Sequence, residues 1–534
     1  MNNRNYNIYF HTHTISGIII SAILFVIFFA GSFAFFKSEI SNWQKNVVNP
    51  VSSRYELDFN TITDSLNKEY GLYGRDISFN VYPHTPRLGV SVSESKDTTN
   101  KTKGGFFYYD IQKHTKADYK QSYDLGEFLY RLHFLAQVNS VANVGFPLGY
   151  YIAGLVAFIF LFALVTGLLL HWNKIVSNFY VFRPWEKLKT VWTDLHTALG
   201  VISFPFLLIF AVTGSFFLVS YPLFTQPTAQ IQFAGNEDSL NAVLGYSQRK
   251  TDFVNRPLQR KADVNYFLQH AAGRWDHTRL LNLQLLNYGD TSMEIIIKNA
   301  LPTQQKFVSS GEVIYNVASK KVLESKDPNR SSGYTDVVQN LVYNLHFGNY
   351  GGYFVKVLYF LLGICGCVVI ISGVLIWLTA RNKKNIPEKK KRFNEWLTHI
   401  YLAISLGMFP VTAAAFIAVK MHPGGGMAFI YPFYFWSWLA VAVVLSIRKN
   451  NYKTNRDCML SGAIIGSAIP IVNGAVTGNW IWVTYARGYT DILLIDLFWI
   501  IVSVVAFICW WLIVKKQNAV KRDDNRSDQY VVSG

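Results

Sequence analysis

Charge is scarce in this sequence. Only 16% of its 534 residues are Asp, Glu, Lys or Arg, against 51% hydrophobic, which excludes a disordered or uniformly solvated chain. Cysteine is scarcer still, with Cys365, Cys367, Cys458 and Cys509 as the full set. All four lie in or beside long apolar runs, so no disulfide framework holds the polar parts of the chain. Cys365 and Cys367 sit two apart, and helical residues at that spacing point to opposite faces, which argues against a metal pair. No Cys-x-x-Cys-His, His-Glu-x-x-His, P-loop or glycine-rich dinucleotide fingerprint occurs. Covalent c-type haem, zincin chemistry, P-loop phosphate transfer and a fused flavin reductase are thereby excluded, and there is no nucleophile-base set.

What is present is apolar and blocked. The hydrophobic residues gather in runs of about 20, the length that crosses hydrocarbon as helix. Eight spans are expected, near 16–36, 147–170, 199–221, 353–378, 397–419, 427–447, 459–479 and 490–514. The formal net charge is +17, but its distribution points away from nucleic acid: Lys and Arg crowd "NKIVSNFYVFRPWEKLK", "RNKKNIPEKKKR", "RKNNYKTNR" and the tail "KKQNAVKR". By the positive-inside rule these loops and both termini are cytoplasmic. Two long polar segments, 37–130 and 222–344, then face the other side, the periplasm of a bacterium, each expected to fold on its own core. "SFA" at Ser32–Ala34 faintly resembles a signal cleavage site, yet the third span has the same design and cannot be a signal, so the first is read as a retained helix.

That shared design is part of an internal duplication. His13 to Gly31 and His196 to Gly214 are both 18 residues. Each such span leads into a polar segment with strand-like alternation, "DISFNVYP" and "FFYYDI" in the first, "SMEIIIKN" and "EVIYNV" in the second. Each segment closes on Leu-His-Phe, at His133 and His346, followed by an apolar span ending "TGLLLHW" or "SGVLIWL". The copies fill residues 1–380; the four helices of 396–514 lack the pattern and follow the basic linker 381–395, and a cytoplasmic tail occupies 515–534. Within the copies the expected pieces are 1–36, 37–130, 131–221, 222–344 and 345–380.

Topology sorts the histidines by height. His13 and His196 begin outward-running helices and His171 ends an inward-running one, all near the cytoplasmic surface; His133 and His346 lie near the outer surface. Paired neutral imidazoles on facing helices of a four-helix bundle are what a six-coordinate haem iron requires. His13 then pairs with His196 and His133 with His346, while Gly17, Gly31, Gly167, Gly200, Gly214 and Gly373 let a macrocycle or a helix approach closely. His171 is surplus: it replaces one of the inner pair, binds a propionate or ligates a further cofactor. A histidine at a membrane boundary also serves simply as an amphipathic side chain, the reading given to His11 and His399; His84, His114, His270, His277 and His422 are read as solvated or loop residues. Arg131 is a candidate for a haem propionate or an interfacial anchor.

At "HTISG" with "GSFAFF", "RLHF" with "TGLLLHW", "DLHTALG" with "TGSFF", and "NLHFG" with "SGVLIWL", residues 1–380 resemble the PepSY-associated transmembrane family, which includes iron-regulated membrane proteins and ferric-siderophore reductases. The resemblance implies an α-helical integral membrane protein of the bacterial inner membrane, with a four-helix core binding two b haems and two α+β PepSY-like periplasmic domains. It implies that His13, His133, His196 and His346 are axial ligands, with His171 a further cofactor residue, and that ferric chelates are reduced on the outer side. The chain departs from members with a fused reductase domain, so the donor is expected to be membrane quinol or a separate cytoplasmic reductase. Lys96, Lys101, Lys103, Lys113, Lys116 and Lys120 either attract an anionic chelate or form a solvated surface. Two other readings stay open: transport of haem or a metal chelate through a relay of transient sites, and regulation by PepSY-like domains with structural histidines.

Overall fold

The computed structural model describes all residues except 1–2, 49–54, 56, 83–84, 143, 245–248, 331, 384 and 533–534; His84 is therefore outside the described residues. In chain order the principal elements are α1 (Asn3–Ala34), α2 (Lys37–Lys45), α3 (Phe59–Tyr70), β1 (Ile77–Val81), β2 (Arg87–Val92), β3 (Gly105–Asp110), β4 (Thr115–Asp118), α4 (Leu125–His133), α5 (Leu148–His171), α6 (Leu188–Ser220), α7 (Val264–Ala272), β5 (Arg279–Leu286), β6 (Glu294–Ala300), β7 (Gly311–Asn316), β8 (Val322–Lys326), α8 (Tyr334–Phe347), α9 (Gly352–Arg381), α10 (Glu388–Met421), α11 (Gly426–Ile447), α12 (Asn451–Thr477) and α13 (Thr490–Val532). They divide into a helical unit, Met1–Val48 with Tyr123–Gly214 and Tyr359–Gly534, and a sheet unit, Asn49–Ser122 with Ser215–Leu358.

Among the described residues eight helices are long and apolar enough to cross a membrane, and they coincide with the eight expected spans. This is an integral membrane protein by that measure. Inside the helical unit, α1, α5, α6 and α9 form one bundle. Its closeness shows at Gly366 of α9, where a methyl group would meet Phe28 of α1 at 2.8 Å and Leu207 of α6 at 3.4 Å. Phe28 also stacks edge-on with Phe160 of α5, ring centres 5.4 Å apart. The last four helices join this bundle through aromatic packing: Phe33 of α1 lies 6.1 Å from Trp499 and 5.8 Å from Phe498 of α13. Short α2 is tied to α4, because Gln44 accepts from the Leu125 N–H at 2.8 Å and Lys45 pairs with Asp124 at 2.9 Å. Residues 37–45 and 125–130 thus belong with the helices, not with the sheet segment that the sequence places at 37–130.

The sheet unit departs from the expectation of two separate domains. Its eight strands form one antiparallel sheet in the order β4-β3-β2-β1-β5-β6-β7-β8, two copies of a helix-and-meander set placed back to back. The join is β1 on β5, with Ile77 opposite Leu285 and Phe79 opposite Leu283. The physical reason is edge protection: the first strand of each meander would present unpaired amides, and pairing the two covers both edges. One hydrophobic core runs under both halves, including Phe59, Phe79, Phe267, Leu283 and Ile297, all fully buried. The two helices on the sheet also cap one another. Asp58 accepts from Thr61 N at the start of α3 and from Asn265 Nδ2 of α7, while Asp263 accepts from Tyr266 N at the start of α7 and from Asn60 Nδ2 of α3. Duplicated sequence has become a two-fold exchange of caps.

Candidate functional site

In the helical unit three of the expected histidines are held in one manner. His13 Nδ1 lies 2.8 Å from the Ala163 carbonyl oxygen, His196 Nδ1 2.8 Å from that of Val369, and His133 Nδ1 2.8 Å from that of Ile27. A carbonyl can only accept, so each Nδ1 carries the proton and each Nε2 keeps its lone pair. Each accepting carbonyl is four residues before a glycine of the repeat, Gly167, Gly373 and Gly31. A methyl group at those glycines would stand 3.0 Å from His13 Cε1, 3.0 Å from His196 Cε1 and 2.5 Å from His133 Nδ1. These glycines are seats for imidazoles. The sequence correctly marks them as places of close approach, yet the approaching group is the neighbouring helix's histidine.

His13 and His196 come together, with ring centres 5.9 Å apart and planes at 72°. Metal–imidazole bonds are about 2.0–2.1 Å, and adding about 1 Å from each nitrogen to its ring centre puts two rings that share an ion roughly 6 Å apart. Both rings are half-buried, and the glycine one turn along each helix, Gly17 and Gly200, has open space where a side chain would be. Two neutral imidazoles with outward lone pairs, carbonyl-fixed tautomers and vacant neighbouring surface form a donor set suited to the two axial positions of a haem iron.

Local chemistry explains how the residues reach these places. Thr166 and Ser372, each just before a seating glycine, bond back to carbonyls within their own helices, Thr166 to Phe162 at 2.7 Å and Ser372 to Val368 at 2.7 Å. They bring polarity beside the imidazole without leaving a hydroxyl unsatisfied. Ahead of His196, Asp194 accepts from two guanidinium nitrogens of Arg183, Nε at 3.0 Å and Nη2 at 2.9 Å, and from its main-chain N–H at 3.0 Å. This clamp fixes the entry of α6. Sequence reasoning passed over it, although an acid two residues before a candidate ligand and a basic loop just upstream were both visible.

The remaining expected residues are placed as follows. His171 is half-buried at the end of α5, one helical turn beyond Gly167 and so on the face that seats His13. His133 ends α4. His346, in the sheet unit's last helix α8, stacks edge-on with Phe217, ring centres 5.3 Å apart. Arg131 spends its Nε on Glu127, 2.7 Å away, and reaches Tyr150 with a second nitrogen at 3.2 Å, so it is engaged within the protein rather than extended as a bare anchor. Among the basic residues of the first segment, Lys96 pairs with Asp76 at 3.0 Å and Lys116 with Glu69, while Lys101, Lys103, Lys113 and Lys120 are exposed. His270 bonds the Tyr315 hydroxyl at 2.8 Å, His399 bonds Asn451, and His11 is exposed.

No curated protein matches the chain. The family model described as the PepSY-associated TM region matches residues 10–380, the stretch that holds both copies of the repeat and the five candidate site histidines His13, His133, His171, His196 and His346. With that match covering well over half of its length, the chain belongs to the PepSY-associated transmembrane family.

Proposed function

We propose that this protein is a transmembrane oxidoreductase of the bacterial inner membrane that binds b-type haem at two levels and reduces ferric chelates, siderophores or similar, on the periplasmic side. Both termini are then cytoplasmic and the sheet unit periplasmic, in keeping with the basic loops at one end of the helices. The observation that carries the reading is the His13–His196 pair, two imidazoles 5.9 Å apart with both Nδ1 protons committed to carbonyls. Haem bound at two levels supplies one-electron carriers that divide the roughly 30 Å of hydrocarbon into shorter steps.

The chain's own residues do the rest. His13 and His196 hold the inner level; His133 and His346 are assigned the outer one, and His171 the edge of the inner one. The Ala163, Val369 and Ile27 carbonyls keep the imidazoles neutral at Nε2 and fix their rotation. The apolar walls of α1, α5, α6 and α9 exclude water and so keep electrons from stray acceptors. Electrons come from quinol or a separate cytoplasmic reductase, and reduced iron leaves hard oxygen ligands more readily than ferric iron.

The test is haem content by pyridine haemochrome on detergent-purified protein, with oxidised and reduced spectra. About two low-spin b haems per chain are expected, falling toward one in His196→Ala, the ligand count that bis-imidazole coordination at each level requires. Protein that stays free of haem under ample supply overturns the oxidoreductase. Uptake that depends on added substrate would point to transport, and activity that survives loss of His133 and His346 would point to regulation.

A further inference from the structure

The last four helices carry a buried polar cluster that the haem scheme does not use. Lys420, in the last turn of α10, and Asp496, two turns into α13, are 1% and 0% exposed. Trp43 of α2 stands between them. Its main-chain carbonyl accepts from Lys420 Nζ, the Lys420 ammonium lies 4.2 Å above the indole, and the indole N–H donates to Asp496 Oδ1 at 2.9 Å. Asn473 of α12 donates to the other carboxyl oxygen at 2.7 Å. Residues of α2 and α12 thus converge on one carboxyl group of α13, and α10 reaches it through Trp43.

Ionisable side chains inside membrane spans are costly to keep and mark proton or substrate routes by default. Asn42, next to Trp43 in the chain, donates from Nδ2 to Asp491 Oδ2 at 2.7 Å, so α2 meets a second carboxyl group of α13. Among the described residues the Asp496 carboxyl receives its hydrogen bonds from neutral donors, the Trp43 indole and the Asn473 amide, while Lys420 stands on the far side of Trp43. This arrangement leaves both charge states attainable, because each oxygen keeps a lone pair for a proton while losing neither N–H bond. The charged groups on the elements that meet here are Lys420 at the end of α10, Lys37, Glu39 and Lys45 on α2, and Asp491 in the first turn of α13; α12 has no charged residue between Met459 and Asn479. The cluster lies at the end of the helices away from the basic loops. Through Gln44 and Lys45 it is tied to α4, whose last residue is His133.

We propose that Asp496 is a proton-binding site, reached from the outer aqueous phase, whose proton compensates the electron arriving at the His133 level. This coupling rests on the haem reading above; the proton site itself does not. Haem held at that level would supply a one-electron carrier, and as it gained an electron the Asp496 carboxylate would take one proton from water to become the acid, returning it when the electron left for a ferric acceptor. Charge in the low-dielectric interior is unchanged throughout, which removes an electrostatic barrier to the outward step.

Infrared spectroscopy of the full-length protein tests this in two stages. A carboxylic acid carbonyl band should appear as pH falls, be absent in Asp496→Asn, and move to higher pH in Trp43→Phe, which removes one donor to the carboxylate but keeps a ring. No band difference between wild type and Asp496→Asn at any pH where the protein is folded overturns the site. If Asp496→Asn fails to assemble, Trp43→Phe decides in its place, since an unmoved band in that variant also overturns the site. The second stage uses reduced-minus-oxidised spectra of haem-loaded protein. The acid band should grow on reduction, and haem that reduces without it overturns the coupling. A pH-dependent band in protein that never binds haem would retract the oxidoreductase while keeping the proton site.

Discussion

At the scale of single residues the design is economical: a histidine gives one ring nitrogen to a carbonyl on the next helix, and the glycine one turn on leaves room for the ring. The arrangement makes a graded prediction. Gly31→Ala would place its methyl 2.5 Å from His133 Nδ1, closer than side chains tolerate, whereas Gly167→Ala and Gly373→Ala would leave 3.0 Å to the nearest ring atom. Overpacking of this kind costs about 1–3 kcal/mol, with Gly31→Ala at the high end. Thermal melting of the three variants in detergent should rank Gly31→Ala clearly lowest; equal losses would mean the rings shift freely and the glycines are not seats. The repeated histidines and the glycines that seat them were legible in the sequence, because histidine followed by glycine at a fixed spacing twice is a pattern. The carbonyl partners were not, since any residue has a carbonyl and only packing of α1 on α5 and α6 on α9 brings Ala163 and Val369 into reach.

At the scale of elements, the apolar runs announced all eight spanning helices, as a helix apolar on every side must. Strands β1, β3, β6 and β7 were equally plain from alternation, while β2, with Gly89 inside it, and β5, "RLLNLQLL", with too little alternation, required their neighbours to define them. The exchanged caps of α3 and α7 were invisible locally, because Asp58 and Asn265 are far apart in the chain. That exchange has a pH signature. Side-chain hydrogen bonds from Thr61 and Asn265, then the Thr61 amide, hold the Asp58 carboxyl down to about 2 from its usual 3.8, and Asp263 is lowered by Asn60 and the Tyr266 amide. A lowered carboxyl contributes stability above its unfolded value and loses it as pH falls through the folded one. The cap contribution should therefore be intact at neutral pH and fade from pH 3.8 to about 2. Asn at both 58 and 263 keeps a capping side chain without the titration, so the melting temperature of the double variant should fall less over this window than that of wild type. Parallel declines would show that these carboxyls do not carry the linkage.

At the scale of the whole molecule the duplication was legible, but its consequence was misjudged. Reading the repeat as two periplasmic folding units ignored that each meander begins with a strand needing a partner, and the nearest equivalent partner is the same strand of the other copy. Duplication therefore produced one sheet with a two-fold join, and in the helices a four-helix bundle in which His13 and His196 occupy matched positions, each on a carbonyl of the neighbouring helix. The join can be weighed by cutting it. Leu283 in β5 is fully buried opposite Phe79 of β1, so Leu283→Ala should cost about 2–5 kcal/mol, the usual range for a truncated core leucine. If the core is shared, hydrogen exchange of the intact chain must quicken in peptides from β2 and β3 as much as in those from β6 and β7, although the substitution lies in the second copy alone. Faster exchange confined to the second copy would mean that each half stands by itself, with the β1–β5 pairing a contact between finished domains. Equal loosening would make the sheet a single cooperative unit, in which a change in either polar segment is felt across all eight strands.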